Sequence, residues 1–482
     1  MLDFRPVVYI FGLIVLVVGL LASLPAFADW VSGGPDSLVF LGCGGVTVFL
    51  GGCLAFTTYA PETRLSLPQA FLLTPVCWFG LPFFAALPLV WGHRDLTWAD
   101  AYFETVSGLT TTGSTILTGL DGMPQGVLLW RGLLQWLGGL GVIMVAIAIL
   151  PLLRVGGMQL MRTESSDRSD KVLPRASQLA SAITLVYVLL TLLCLVSYAL
   201  TGMTLFDASV HAMTTLSTGG FSTSDLSMGA FQPSTQWVCV VFMIAGGLPF
   251  VLMVRAFYGR PAALWRDSQV RAFLQSLAFL ILAVGLLLWL GDVYEGLETS
   301  LRQAALNIVS VVTTTGYAST DYQLWSTAAA PLFLFLMMLG GCTGSTSGSV
   351  KIFRWQILKQ EVDRQIYQTL EPNRIVTRRY NGKPLPADVA QSVCVYLFIV
   401  LALIGLGAAG LAGTGISFEA ALSGAVTSIT NVGPGLGPII GPAGTFAPLP
   451  DAAKWIAAVL MILGRLEILT VLVLFDPRFW SR

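Results

Sequence analysis

Along this chain, apolar runs of about 20 residues, the length that crosses a bilayer as a helix, alternate with half-length amphipathic stretches and a few charged links. The first two runs, near 7–26 and 37–58, form a pair with no amphipathic insert between them. After that pair one plan recurs four times: a long apolar run, a short run ending in hydroxyl residues and glycine, and a second long apolar run. The short runs are AYFETVSGLTTTGST (101–115), FDASVHAMTTLSTGGF (206–221), RQAALNIVSVVTTTGY (302–317) and FEAALSGAVTSITNVGP (418–434). The pattern predicts an all-α polytopic membrane protein of about ten spans. Four pseudo-repeated units of helix, re-entrant pore helix and helix surround one pore, preceded by a two-helix hairpin. The expected divisions are the hairpin at 1–66, then units at 67–176, 177–269, 270–386 and 387–482.

The short runs converge on Thr111-Thr112-Gly113, Thr218-Gly219-Gly220, Thr314-Thr315-Gly316 and Asn431-Val432-Gly433, whose final glycines are 107, 96 and 117 residues apart. A cation leaving water needs oxygens to replace its hydration shell, and rings of backbone carbonyls supply them. Aligning successive carbonyls calls for backbone angles that glycine adopts without strain. A short helix before each loop points its partially negative C-terminal end at the same place. A single TTTG reads equally well as a turn; four copies in register point to a cation filter. Asp100, Asp207 and Glu419 recur near the start of three short helices, with Gln303 in the other, as caps or as cation attractors.

Composition agrees: 55% of residues are hydrophobic and 11% charged, with a mean hydropathy of +0.77. Net charge is zero, which gives no reason to expect nucleic acid as a partner. The seven cysteines lack CxxC spacing and read as apolar core, and two histidines, His93 and His211, are too few for a multi-histidine metal site. No clustered catalytic set stands at membrane depth, so an enzyme is not expected. The run near 7–26 reads equally well as a first span, so a cleaved leader is not expected.

Of the 26 Lys and Arg, only Arg94, Arg131, Arg302 and Lys454 fall on the side of the four loops, and Arg465 lies mid-span. The other 21 cluster at the opposite ends, including Arg154, Arg162, Arg168, Lys171 and Arg175 after unit one. The basic side is expected to be cytoplasmic, with both termini there and the loops entering from outside an inner or plasma membrane. The hydrophilic stretch 361–387 reads as a solvated linker or as a docking surface for a cytosolic partner.

Unit three's second long run is interrupted at 339–351 by LGGCTGSTSGSVK, including Gly340, Gly341, Gly344, Ser345, Thr346, Gly348 and Lys351. Backbone freed from a helix at membrane depth must be buried in protein or face water. About 25 residues after its filter loop, this break is expected just below the loops, as a mobile gate or as a static packing kink. It is the one interruption expected in the long helices. Arg465 needs a partner at that depth. The carbonyls of 344–349 fit better than Glu467, which points to another face; a salt link elsewhere is the alternative. Arg131 is placed at the outer rim, anchoring the loops or lying at the interface.

TVSGLTTTGST, LSTGGFS, VTTTGYA and TNVGPGLG, with RGLLQWLGGLGVIMVAIAILP, GGCTGSTSGSVK and LGRLEI, resemble the Trk/Ktr/HKT superfamily of potassium transporters over nearly the whole chain. The N-terminal hairpin resembles the TrkH branch rather than KtrB, which lacks it. The resemblance implies a potassium-uptake pore subunit that forms a homodimer and works with a cytosolic TrkA-type ring. Any nucleotide, NAD or ATP/ADP, belongs to that partner; this chain carries K+ and holds no cofactor. It further implies that Gly340–Lys351 obstructs the pore, with Arg465 near it. Gly113, where sodium-permeable plant relatives have serine, favours potassium. The fourth loop departs from the pattern with Asn431-Val432 and one extra residue between acid and glycine.

Overall fold

The computed structural model describes residues 3–59, 65–92, 96–148, 176–373 and 377–480. Arg154, Arg162, Arg168, Lys171 and Arg175, with His93 and Arg94, lie outside the described residues.

The hairpin is built by close approach of backbones. Arg5–Ser32 forms one apolar span and packs along Ser37–Thr57. Gly12 and Gly19 face Gly51 and Gly44: a Cβ on Gly12 would stand 2.9 Å from the Gly51 carbonyl, and one on Gly19 2.9 Å from that of Gly44. Small residues at this spacing let helices associate in lipid, where hydrophobicity alone gives no preference for protein over acyl chain.

Each unit follows the expected plan. Unit one has Leu67–Val90, the short helix Trp98–Leu109 and Gln125–Ala148. Unit two has Ala176–Leu200, Leu205–Leu216 and Pro233–Gly246, and unit three Ser268–Leu290, Leu297–Val312 and Ala329–Leu336. Unit four has Ala387–Ala412, Phe418–Thr430 and Asp451–Arg465. Thr97, Thr204 and Ser417 cap three of the short helices by accepting from the N–H groups of Asp100, Asp207 and Ala420, satisfying donors that a helix start leaves open. Asp100 and Asp207 sit at the third position, where an acid favours the helix dipole. Glu419 is in the first turn as expected. Gln303 is not: its helix starts earlier, after Gly296 at φ +90°, and the first-turn acid is Glu298.

Among the described residues, seven helices are long and apolar enough to span, nine counting two sharply bent pairs. The tenth expected span is the eight-residue helix Ala329–Leu336, which leads into 337–351 and then Ile352–Leu370.

The bent pairs overturn the expectation that unit three alone is interrupted. Unit two breaks between Pro233–Gly246 and Phe250–Phe257 with a 99° turn, and unit four between Asp451–Arg465 and Leu469–Phe475 with a 98° turn. Pro249 has no N–H for the helix ladder and clashes with the preceding turn, which accounts for the first break. The second has no such residue; Glu467 and Ile468 take φ of +57° and +48°, held there by contacts described below.

Candidate functional site

Four loops following four short helices meet at one place. In each, two residues take left-handed backbone angles: Thr111, Thr218, Thr314 and Asn431 at φ between +51° and +58°, then Gly113, Gly220, Gly316 and Gly433 at +86°, +79°, +84° and +114°. The glycines were legible in the sequence; the left-handed residue two positions earlier was not, since threonine rarely adopts it.

The loops close a ring. A Cβ on Gly113 would lie 2.2 Å from the Gly219 carbonyl oxygen, on Gly220 1.8 Å from that of Thr315, on Gly316 2.1 Å from that of Val432, and on Gly433 2.7 Å from that of Thr112. Unit one thus abuts two, two abuts three, three abuts four and four returns to one, each glycine facing the carbonyl of the middle residue next door. All four glycines line a single cavity of about 230 Å³. Ser114 Oγ donates to the Gly433 carbonyl at 2.7 Å, and Asn431 Nδ2 donates to Thr112 Oγ1 at 2.9 Å. Thr111 Oγ1 and Asn431 Oδ1 are buried oxygens without a hydrogen-bond partner among the described residues.

The ring is braced by side chains from the second helices. Arg131 is buried, pairs with Glu104 at 2.8 Å, and donates to the Ser222 carbonyl at 3.1 Å and Thr115 Oγ1 at 3.1 Å. Its guanidinium also lies 4.1 Å from the centre of the Phe221 ring. Of the two roles open to Arg131, the geometry is that of an anchor tying loop one to loop two. Glu104 was not singled out, although an acid within the apolar Trp98–Leu109 helix was a signal; it also accepts from the Ile116 N–H at 2.9 Å. Gln135 was missed as well: it donates to the Gly219 carbonyl at 2.6 Å and accepts from the Phe221 N–H at 3.0 Å. Lys454 pairs with Asp100 at 2.5 Å, joining unit four to unit one, so Asp100 both caps its helix and holds a lysine.

Directly beneath the ring lies the interruption of unit three. Its ends are clasped, the Gly340 N–H donating to the Val350 carbonyl at 2.9 Å and the Ile352 N–H to that of Gly341 at 3.1 Å. The Gly348 N–H donates to Thr314 Oγ1 at 2.7 Å, so the segment touches a ring residue. A Cβ on Gly348 would stand 2.5 Å from the Thr430 carbonyl. Thr346 Oγ1 reaches the Leu216 and Gly246 carbonyls at 3.1 and 3.0 Å. Lys351 donates to the Ser347 carbonyl and Ser345 Oγ to that of Cys342.

All three helix breaks converge here. The carbonyl of Gly247, at the unit-two break, accepts from the Cys342 N–H at 2.9 Å, while the Phe250 N–H donates to the Gly344 carbonyl at 3.0 Å. From the unit-four break, Arg465 Nη2 donates to the Thr346 carbonyl at 2.8 Å, one of the carbonyls expected to hold it. Glu467 turns elsewhere, as expected, and pairs with the buried Arg354, whose guanidinium stacks 3.7 Å from the Tyr396 ring centre. A cavity of about 40 Å³ lies between Gly344–Lys351 and Gly464–Glu467, room for on the order of three waters.

Among the described residues no group of three or more His, Cys, Asp or Glu is placed to hold a metal ion. Cys43, Cys53, Cys77, Cys194, Cys239, Cys342 and Cys394 are all free thiols.

The TrkH family model, described as a cation transport protein, matches residues 37–482. The chain is 46% identical to the Trk system potassium uptake protein TrkI of Halomonas elongata, over 99% of this chain and 97% of that protein. It is 33% identical to the Trk system potassium uptake protein TrkH of Escherichia coli, over 99% of this chain and all of that one. The crystal structure of the potassium transporter TrkH from Vibrio parahaemolyticus superimposes with a TM-score of 0.91 at 32% identity, covering 99% of this chain and all of the other. With its four-unit architecture and apolar spans, the chain is an integral membrane protein and belongs to the TrkH family of cation transport proteins.

Proposed function

We propose that this chain is the membrane subunit of a potassium uptake system, conducting K+ through the four-loop ring and gated by 339–351. The observation that carries the reading is the closed cycle of glycine-to-carbonyl approaches, in which each of Gly113, Gly220, Gly316 and Gly433 lies against a carbonyl of the next unit. Such a cycle turns backbone oxygens toward one axis, where they replace water around a cation. The buried oxygens of Thr111 and Asn431 extend the oxygen lining inward. The relatives named as potassium uptake proteins support K+ as the ion.

In this reading the loops face outward and both termini are cytoplasmic, in the inner membrane. The segment 339–351 closes the path until a cytosolic TrkA-type ring, carrying NAD or ATP/ADP, draws it aside. Two copies form a homodimer. A potential of 100 mV is worth roughly 2.3 kcal/mol per charge, enough for about fiftyfold accumulation without coupling.

The convergence of three broken helices favours one competing reading, a proton- or sodium-coupled symporter, because coupled transporters build sites from broken helices. Their breaks come in inverted pairs, whereas these fall in three units of a fourfold repeat and leave the first unbroken. The purified chain in liposomes, under an inside-negative potential, separates the two. Potassium and rubidium uptake exceeding sodium with no second gradient supports the pore; uptake only under an imposed proton or sodium gradient establishes the symporter.

A further inference from the structure

On the face opposite the ring, where Ser268–Leu290 begins, lies a cavity of about 480 Å³, within the range of roughly 300–1,000 Å³ that small-ligand sites occupy. Four of its lining residues are cationic, Arg266, Arg271, Lys359 and Arg379, and none is acidic. The two carboxylates next in sequence to lining residues are both engaged: Asp267 accepts from the Gln269 and Val270 N–H groups at 2.9 and 3.2 Å and from Asn381 Nδ2 at 2.9 Å, and Glu361 pairs with Arg364 and Arg378. Among the described residues Lys359 has only an exposed pair with Asp363 at 3.9 Å, a contact worth little. Arg266, Arg271 and Arg379 make no ion pair among the described residues. Ser268, also lining the cavity, has a buried Oγ with no hydrogen-bond partner among the described residues.

Like charges gathered around one opening repel until an anion enters, and guanidinium forks match phosphate oxygens. The floor is preformed. Arg379–Tyr380 pairs with Lys383–Pro384 across an Asn381-Gly382 turn whose φ values of +47° and +78° are those of a tight hairpin. Phe257, Tyr258 and Trp265 are exposed nearby in sequence, as aromatic residues are at a membrane–water boundary.

We propose that this cavity binds a phosphate group, supplied by an anionic phospholipid headgroup or by free phosphate, and that its occupancy biases segment 339–351. The link is short. Tyr380, in the lining, takes a hydrogen bond from the Gln269 amide, and Gln269 Oε1 accepts from the Thr343 N–H at 2.9 Å. The Ile352–Leu370 helix, which supplies Gln356, Lys359 and Gln360, starts where the segment ends. Binding stands independently of the proposed function; the bias on flux rests on the reading of 339–351 as a gate.

The test uses the purified full chain in neutral detergent, titrated with short-chain phosphatidylglycerol, phosphatidylcholine or inorganic phosphate while the thermal unfolding midpoint is read. Phosphatidylglycerol should raise the midpoint saturably and phosphatidylcholine should not. R266Q/R271Q/R379Q should raise the half-saturating concentration at least tenfold, and R255Q/R478Q, outside the cavity, less than twofold. R379Q alone, at an exposed position beside the turn, carries the test with a threefold shift if the triple variant does not fold. Saturation by inorganic phosphate with the same variant sensitivity, and none by the lipid, assigns the source to free phosphate. Titration of the cavity variants like wild type with both probes, or equal loss in the control, overturns the site. Q269L should keep the titration yet lose any difference in potassium flux between phosphatidylglycerol and phosphatidylcholine vesicles; a retained difference overturns the coupling.

Discussion

The ring and the layer beneath it obey different symmetries. In the ring all four units do the same thing, with a left-handed residue, a glycine and a neighbour's carbonyl in each. In the layer below, unit one runs on unbroken through Gln125–Ala148 while units two, three and four are interrupted, each differently. A ring that surrounds an ion gains from equivalence, because every oxygen then meets the cation alike. A movable obstruction gains from inequality, since one segment has to leave while the others stay. Damage should therefore act with opposite sign in the two layers, lowering selective flux in the ring and raising unregulated flux below.

The largest effect is expected at Gly220. Gly220→Ser places a Cβ 1.8 Å from the Thr315 carbonyl and should abolish potassium-selective uptake in liposomes, whereas Gly433→Ser, at 2.7 Å, should retain the most flux of the four. Gly113→Ser should raise sodium relative to potassium flux. Equal effects at all four glycines would show that the approaches are not what sets tolerance.

Arg131→Met leaves Glu104 buried and unpaired, and loss of one partner of a buried ion pair costs roughly 3–5 kcal/mol. Denaturation of this variant, of Glu104→Gln and of the double variant should show a double loss smaller than the sum. Additive losses would mean that the pair does not brace the ring.

Below the ring, Arg465→Ala removes a charged hydrogen bond worth about 1.5–3 kcal/mol. Potassium flux without any partner should rise roughly ten- to a hundredfold; no rise in a folded variant removes 339–351 as a gate. Thr346→Val is the gentler version, losing contacts of about 1 kcal/mol and raising basal flux a few-fold. A fall in either variant would place the segment in conduction rather than closure.

The ring was readable because repetition multiplies a weak local signal: one TTTG is a turn, and four in register are an arrangement. The layer below was half readable. GGCTGSTSGS disrupts a helix by composition alone, and Arg465 demanded a partner because of its depth. The unit-two break was not expected, although Gly246-Gly247 and Pro249 carry a signal for it that an ordinary kink would share. The unit-four break was not visible at all. Nothing in RLEIL breaks a helix, and a β-branched residue such as Ile468 at positive φ persists only where surroundings over-determine it. Those surroundings, Arg354 on Glu467 and Thr346 on Arg465, come from another unit 113 and 119 residues away. Glu104, Gln135 and Arg354 were hidden for the same reason, since a lone polar residue in an apolar helix announces a partner without naming it.

The interlocked breaks would also make any displacement of 339–351 a hydration event. The Gly246, Gly247 and Thr346 carbonyls and the N–H of Phe250 are partnered across that segment. Each buried polar group left unmet costs about 1–3 kcal/mol, so dry withdrawal would consume much of the roughly 5–15 kcal/mol that holds a typical domain folded. If 339–351 is the gate proposed above, it leaves only as water arrives, and the equilibrium between shut and conducting forms takes on the activity of water as a variable. On that reading, osmolytes too large to enter the passage should favour the shut form, and dehydration by itself should close the route.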